Sequence, residues 1–426
     1  MFEFLTQKCI AAGGLVVLLA VAWGLSSDRR RFPWRIVLVG LSLQFGLAAL
    51  VILSPQGRWL FEVANTAVAG FQTFVNAGSS MVFGLPPSSA SEVGGNQEFF
   101  LSSFAFGVLP TVIVFSSLMA VLYHLGIMQW FVRAIAWCMQ RTLGTSGPET
   151  LAAAANIFVG HTEAPLVVRP YLDKLSRSEL NALMVGGFAT VTGSLVAAYA
   201  ELGVPAGHII TASVISGPAA LLIAKVMQPE APDYRPSQTL EMNAKSTSAN
   251  LVGAAAQGAS DGLKLALNIA AMLIAFLALL ALADYAVGQL GWWIGFRNSD
   301  GQPTLSFTVI LATLFTPVAW LLGIPWNEAF QAGELLGVKM FANEFVAFKA
   351  LGENMSSANP LSDRTRNILT YALCGFSNFS AIGIQVGGIG GLAPDRKDEI
   401  AQLGLRAMLG GTIACLMTAC VASILM

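Results

Sequence analysis

The chain predicts an all-α polytopic membrane protein: eight transmembrane helices plus two re-entrant hairpins in an inverted repeat. Three observations carry that expectation. Of 426 residues, 55% are hydrophobic and only 11% are charged, about half the charge density of an ordinary soluble chain. Apolar runs of about 20 residues, the length that crosses a bilayer, recur from end to end. Two further apolar segments hold carboxylates, and each precedes a span with a polar break.

The first apolar run, about 9–25, has no basic leader and no small-residue cleavage site, so it reads as a transmembrane helix. Arg29, Arg30, Arg31 and Arg35 follow it. Positive charge there puts the loop in the cytoplasm and the N-terminus outside. Further spans fall at about 34–53, 101–124, 178–200, 206–227, 262–290, 366–391 and 402–425, which returns the C-terminus to the outside. Basic loops at 169–177, 225–245 and 396–397 then lie inside, whereas Arg364 and Arg366 lie outside against the trend. The stretch 57–98, with Pro86, Pro87, Glu92 and Glu98, is too polar to span and reads as surface helices plus an external loop. Segment 229–249 is the one strongly polar linker.

The two irregular segments are Thr150 to Pro170, with Asn156, Gly160, His161, Thr162, Glu163 and Pro165, and Trp326 to Leu351, with Glu328, Glu334, Lys339, Asn343 and Glu344. An amphipathic or apolar stretch precedes each (129–143; 305–322). The span after the first breaks at Thr190-Val191-Thr192-Gly193-Ser194, and the span after the second at Gly375-Phe376-Ser377-Asn378-Phe379-Ser380. The order of amphipathic helix, hairpin, broken helix and intact helix therefore occurs twice. Paired interruptions at matching places in two halves mark a transporter's binding site, because unwound backbone survives at membrane depth only under cover of protein or a polar cavity. The topology sends the first hairpin in from the cytoplasm and the second from outside, so the repeats are inverted and their tips meet near the midplane.

Glu163 and Glu344 sit at those tips, where a carboxylate costs about 2.5–3.5 kcal/mol on insertion scales. Two acids at matching positions, each beside an amide or hydroxyl (Asn343; Thr162), favour a ligand site over helix packing. Ser377, Asn378 and Ser380 in one break, and Thr190, Thr192 and Ser194 in the other, add polar groups, although single hydroxyls in membrane helices commonly bond their own backbone. Carboxylates, an amide and hydroxyls with Phe376 beside them suit a neutral solute that has many hydroxyls and one flat face. An anion would call for arginine, and the tips contain none.

Other classes find less support. A net charge of -1 leaves no broad basic surface for a nucleic-acid polymer. Cys9, Cys138, Cys374, Cys415 and Cys420 show no ligand spacing and read as packing residues. A membrane-embedded enzyme would need a nucleophile with its base or a metal cluster, and no GxSxG or HExxH occurs. The paired hairpins argue for alternating access over a channel.

The run Gly337-Val338-Lys339-Met340-Phe341-Ala342-Asn343-Glu344-Phe345-Val346-Ala347-Phe348 resembles the signature of the concentrative nucleoside transporter family. Gly160-His161-Thr162-Glu163-Ala164-Pro165 resembles that family's first hairpin, and Cys374-Gly375-Phe376-Ser377-Asn378-Phe379-Ser380 its second broken helix. The resemblance covers nearly the whole chain and points to a bacterial member that imports nucleosides. It implies that Thr162 and Glu163 meet the base, that Glu344 and Asn378 hold the ribose, and that Leu195 and Phe376 flank the base. It also implies a coupling Na+ held by the side chains of Asn156 and Thr190 and the backbone oxygens of Val159 and Val191. H+ is the alternative coupling ion, with Glu163 or Glu344 as its carrier. The family further implies a homotrimer in the inner (plasma) membrane that works as an elevator. On that reading 1–125 (helices 1–3 and the surface helix) and 229–300 (linker and long helix) form the scaffold, while 126–228 and 301–426 form the transport domain.

Two positions depart from the family pattern. His161 stands where pyrimidine-accepting members have Gln, and imidazole offers its donor and acceptor at different places from an amide. A histidine here also titrates near pH 6–7 when unperturbed, which would let protonation tune base binding. Ala381 stands where many relatives have Ser, so a ribose hydroxyl contact is either missing or supplied by Ser380 or water.

Overall fold

The computed structural model describes residues 2–83, 104–161, 163–234, 248–298, 302–355, 357 and 359–426. Seven helical segments among these are long and apolar enough to cross a membrane, and 366–391 supplies the eighth span as two shorter pieces. The helices α1 (Phe2–Gly24) and α2 (Trp34–Ile52) match the first two expected spans. The stretch expected at the surface begins as one 29-residue helix, α3 (Pro55–Phe83), which is not among the apolar candidate spans. The rest of it, with Pro86, Pro87, Glu92 and Glu98, lies outside the described residues.

The third span opens with a π-helical turn, Phe104–Val108, and continues as α4 (Leu109–His124). Its partner is α11 (Leu251–Trp293), 43 residues long against the expected 262–290. The extra turns follow from the residue pattern. Ala254, Gly258, Gly262 and Ala266 form a buried stripe, while Gln257, Asp261 and Lys264 keep to the exposed side. At about 1.5 Å per residue such a helix far exceeds a hydrocarbon thickness of about 30 Å. Close approach explains the glycines, since a Cβ on Gly258 would lie 2.6 Å from Ala120 Cβ and one on Gly262 2.8 Å from the Ile113 Cα. Small residues of this kind are what let membrane helices approach closely.

The two repeats follow the predicted order. In the first, α5 (Ile127–Leu143) leads to hairpin helix α6 (Gly147–Asn156), a short return limb with α7 (Ala164–Val167), a broken helix α8 (Arg177–Ala189) and α9 (Gly193–Glu201), and intact α10 (Ala206–Met227). In the second, α12 (Phe307–Leu321) leads to α13 (Trp326–Phe341) and α14 (Glu344–Asn354), broken α15 (Asp363–Leu373) and α16 (Phe379–Leu392), and intact α17 (Lys397–Leu425). The first return limb stays irregular because Pro165 and Pro170 each withhold a backbone donor, and it passes into a 3-10 turn at Arg169–Lys174.

The repeats are the buried core. α8, α10 and α17 pack on one another, with Tyr199, Tyr371, Phe188, Phe345 and Phe348 among the largest fully buried side chains. α1 runs along α17 and α2 along α10, where Gly40 admits Leu222. Arg364, which broke the charge rule, has a structural use. Its guanidinium donates to the Gly323 carbonyl at 2.8 Å and to the Ser423 carbonyl at 2.9 Å. Arg366 pairs with Asp363 at the start of its own helix.

Candidate substrate and ion site

Asparagine caps place the acidic tip. Asn343 accepts the Val346 N–H at 2.9 Å and starts α14, which leaves Glu344 as that helix's first residue, buried and beside its positive end. Asn378 does the same for α16, its Oδ1 accepting the Ala381 N–H at 2.9 Å. The remaining half of the Asn378 amide turns to Glu344, Nδ2 donating to Oε2 at 3.1 Å. The other carboxylate oxygen accepts the Tyr199 hydroxyl at 3.2 Å, from α9 of the first broken helix. Second hairpin, second break and first broken helix therefore converge on one carboxylate. Ser380 is partly exposed and donates to Asn378 Oδ1 at 2.7 Å. Ala381 is buried beside them and brings no hydroxyl.

The first hairpin tip meets the second break. The His161 ring stands edge-on to Phe376, with centroids 4.7 Å apart. Both its ring nitrogens are buried without a partner. The tip turn closes on the Gly160 carbonyl, which accepts the N–H groups of Glu163 and Ala164 at 3.0 Å. Glu163 is exposed, unlike Glu344. Thr162 lies outside the described residues. Leu195 is buried on α9, four residues from Tyr199 and so on the same helix face.

The expected ion ligands gather around the first break. Asn156 is buried at the end of α6, and neither its Oδ1 nor its Nδ2 has a partner. Gly186 of α8 leaves room for it, since a Cβ there would lie 3.0 Å from Asn156 Nδ2. Thr190 is also buried and donates Oγ1 to the Gly186 carbonyl at 2.9 Å, which leaves its hydroxyl lone pairs free. Val159 and Val191 are buried in the non-helical turns on either side. Neutral oxygen donors of this kind suit a hard cation. The two breaks cross each other, the Phe376 N–H pointing to the Thr190 carbonyl at 3.4 Å. Gly375 makes the crossing possible, because a Cβ there would meet Phe188 O at 2.8 Å.

Two participants escaped the sequence reading. Tyr199 could have been flagged as a hydroxyl in an apolar half-helix, about one and a half turns past the break. Gln385 is a lone amide in a Gly/Ile-rich run. It is fully buried, donates to the Met184 carbonyl at 3.2 Å and keeps an unpartnered Oε1. A Cβ on Gly187 would lie 2.7 Å from both Gln385 Nε2 and His161 Cβ, so one glycine admits both side chains.

Broken helices and hairpins in an inverted repeat, closed around a polar site, define a secondary transporter. Family models agree. The Na+ dependent nucleoside transporter C-terminus matches residues 208–423, its N-terminus matches 13–85, and a nucleoside-recognition Gate domain matches 105–206. The chain is 42% identical over 425 residues to solute carrier family 28 member 3 of Eptatretus stoutii, covering 97% of this chain and 60% of that one. It therefore spans about 60% of the length of this vertebrate relative. An uncharacterised transporter of Haemophilus influenzae is 42% identical over 96% of both chains. The structure of CNTnw in an inward-facing substrate-bound state superposes with a TM-score of 0.89 at 40% identity, over 99% of this chain and 98% of that one. This chain belongs to the Na+ dependent, or concentrative, nucleoside transporter family. Its relatives are membrane transporters and not enzymes.

Proposed function

We propose that this chain is a sodium-coupled symporter that imports nucleosides by elevator-type alternating access. The observation that carries the reading is Glu344, whose two oxygens each accept one hydrogen bond, from Tyr199 and from Asn378. A carboxylate has about four lone-pair sites, so the gripped group keeps acceptors for the vicinal hydroxyls of a ribose. Asn378, steadied by its cap on Ala381, presents a fixed amide to the same sugar, with Ser380 at hand. His161, Thr162 and Glu163 face the base, and Phe376 and Leu195 flank it. Asn156, Thr190, Val159 and Val191 hold the sodium.

Residues 126–228 and 301–426 form the moving unit of this reading, and 1–125 with 229–300 the scaffold. Tight packing of α4 on α11 supports placing those two helices in one body. The protein works as a homotrimer in the plasma membrane, with both termini outside. Uptake of labelled uridine and adenosine into proteoliposomes tests the reading. An inward sodium gradient should drive accumulation, and a proton gradient alone should not. Uptake that follows the proton gradient would assign the coupling to protons instead.

A further inference from the structure

Helix α5 has one face that the substrate site does not use. It buries Met128, Val132, Ala136, Met139 and Leu143 and packs on α6, α4 and α2. Its other side exposes Trp130, Arg133, Trp137 and Arg141, whose spacing of three, four and four residues aligns them in one stripe. Trp130 is 67% exposed and Trp137 58%. The Arg141 guanidinium stands 5.8 Å from the centre of the Trp137 ring. The α1–α2 loop extends this face. Trp34 is 67% exposed, and the Arg35 guanidinium lies 3.5 Å from where a Cβ on Gly144 would sit, at the end of α5.

Charge on this face is one-sided. Residues 26–35 and 127–144 hold six arginines and a single acid, Asp28. Arg31 pairs with Asp28 at 3.1 Å, and Arg29 turns back to the Gly24 carbonyl at 2.7 Å. Among the described residues no carboxylate pairs with Arg30, Arg35, Arg133 or Arg141. The helix at the matching place in the second repeat, α12, carries no charge and exposes Ile310 and Leu314. In an inverted repeat these two helices lie at opposite leaflets, so the arginines answer to the leaflet and not to the fold.

Two plainer uses account for part of the pattern. A helix C-terminus attracts Arg141 and Arg35, and basic loops orient a chain in the membrane. Neither use calls for Arg133, near the middle of α5, or for an exposed indole on each side of it. Indoles at head-group level with guanidiniums between them match the chemistry of an anionic membrane surface.

We propose that the outer face of α5, with Trp34 and Arg35, is a binding surface for anionic phospholipid: the guanidiniums take the head-group phosphate, and the indoles lie beside the glycerol. Since α5 turns at Gly144–Ser146 straight into α6, a lipid held here ties the first hairpin to the cytoplasmic leaflet.

The test follows tryptophan fluorescence of the whole chain in detergent, titrated with phosphatidylglycerol or phosphatidylcholine that carries brominated chains. Phosphatidylglycerol should quench at the lower mole fraction. Arg133→Gln should weaken it about fivefold, and Arg133→Gln with Arg141→Gln about 30-fold, at about 1 kcal/mol for each arginine. Both side chains are exposed, so the variants keep the wild-type fold, and phosphatidylcholine should quench them as it does the wild type. Arg297→Gln, at an exposed arginine beside Trp292 past the far end of α11, should leave the preference unchanged. Equal quenching by the two lipids would overturn the proposal. So would a double variant that keeps the preference, or an Arg297→Gln variant that loses it. Displacement of the lipid by an equal concentration of soluble glycerol 1-phosphate would make this a site for free phosphate, which overturns it too.

Discussion

Asn378 does two jobs with one amide: its oxygen accepts the Ala381 N–H at 2.9 Å to begin α16, and its nitrogen donates to Glu344 at 3.1 Å. The cap fixes which way round the amide sits, so Glu344 always faces a donor. Tyr199 presents a second donor to the other carboxylate oxygen. Glu344 is therefore held as an acceptor on both oxygens before any substrate arrives, which removes part of the ordering cost of binding.

That arrangement makes Glu344→Gln more harmful than the loss of one charge. Glutamine would turn an NH2 either toward Asn378, setting donor against donor, or toward Tyr199, whose hydroxyl must then accept and no longer donates. A hydrogen bond to a charged group contributes about 1.5–3 kcal/mol, so uridine affinity should fall roughly 10- to 150-fold. Isothermal titration on purified protein reads the loss. Size-exclusion chromatography should show an unchanged peak, because no apolar contact is removed. Normal affinity would mean that the ribose is bound elsewhere.

Tyr199→Phe isolates the contribution of the first repeat to the same carboxylate. The ring stays packed against Phe345 and Phe348, and only the hydroxyl is removed. The hydroxyl's bond to the carboxylate contributes about 1.5–3 kcal/mol, part of which is felt in binding, so uridine binding should weaken at least about fivefold. Tyr199→Leu would weaken it further and lower thermal stability, because the ring packing goes too. Equal effects from the two variants would show that the hydroxyl is idle.

The sequence made much of this site legible, for physical reasons that differ by residue. Glu163 and Glu344 stood out because charge is rare at membrane depth, and the polar breaks because hydrophobic runs seldom stop mid-span. Helix α11 was underestimated at its N-terminal end: Gln257, Asp261 and Lys264 share one exposed face, and a hydropathy reading averages over faces. Tyr199 and Gln385 were missed for a related reason. Each is one polar tip in an apolar segment, and only folding brings it to Glu344 or to Gly187. The difference between Glu163, exposed, and Glu344, buried, could not be read from two tips of similar composition.

Lys225 explains how the first repeat is held together away from the substrate. Its ammonium contacts Glu149 at 2.5 Å and Glu230 at 2.7 Å and donates to Ser178 at 3.1 Å. Glu149 also accepts the Ser146 N–H at 2.7 Å at the start of α6, and Glu179 accepts the Ser176 N–H at 2.8 Å at the start of α8. The two helices that carry Asn156 and Thr190 therefore start from one buried ionic cluster. Lys225→Met leaves Glu149 buried and unpaired, which costs about 3–5 kcal/mol. Thermal unfolding in detergent should shift down by several degrees. Lys225→Met combined with Glu149→Gln should recover part of the loss. A single variant as stable as wild type would show that Glu149 finds another partner.

His161 is the residue to test for base choice. Its two nitrogens are buried without partners, and its ring stands edge-on to Phe376, so the imidazole is positioned yet chemically unspent. A neutral imidazole offers one donor and one acceptor on opposite sides of the ring, whereas an amide offers both from one end. A base that satisfies one pattern leaves the other with an unpaired buried group, at about 1–3 kcal/mol. His161→Gln should therefore change the adenosine-to-uridine affinity ratio by about tenfold, while Phe376→Ala should weaken both nucleosides without a comparable change in their ratio. Competition binding with uridine, cytidine, adenosine and guanosine measures all of these together. If His161→Gln scales every affinity equally, His161 is packing against Phe376 and does not read the base.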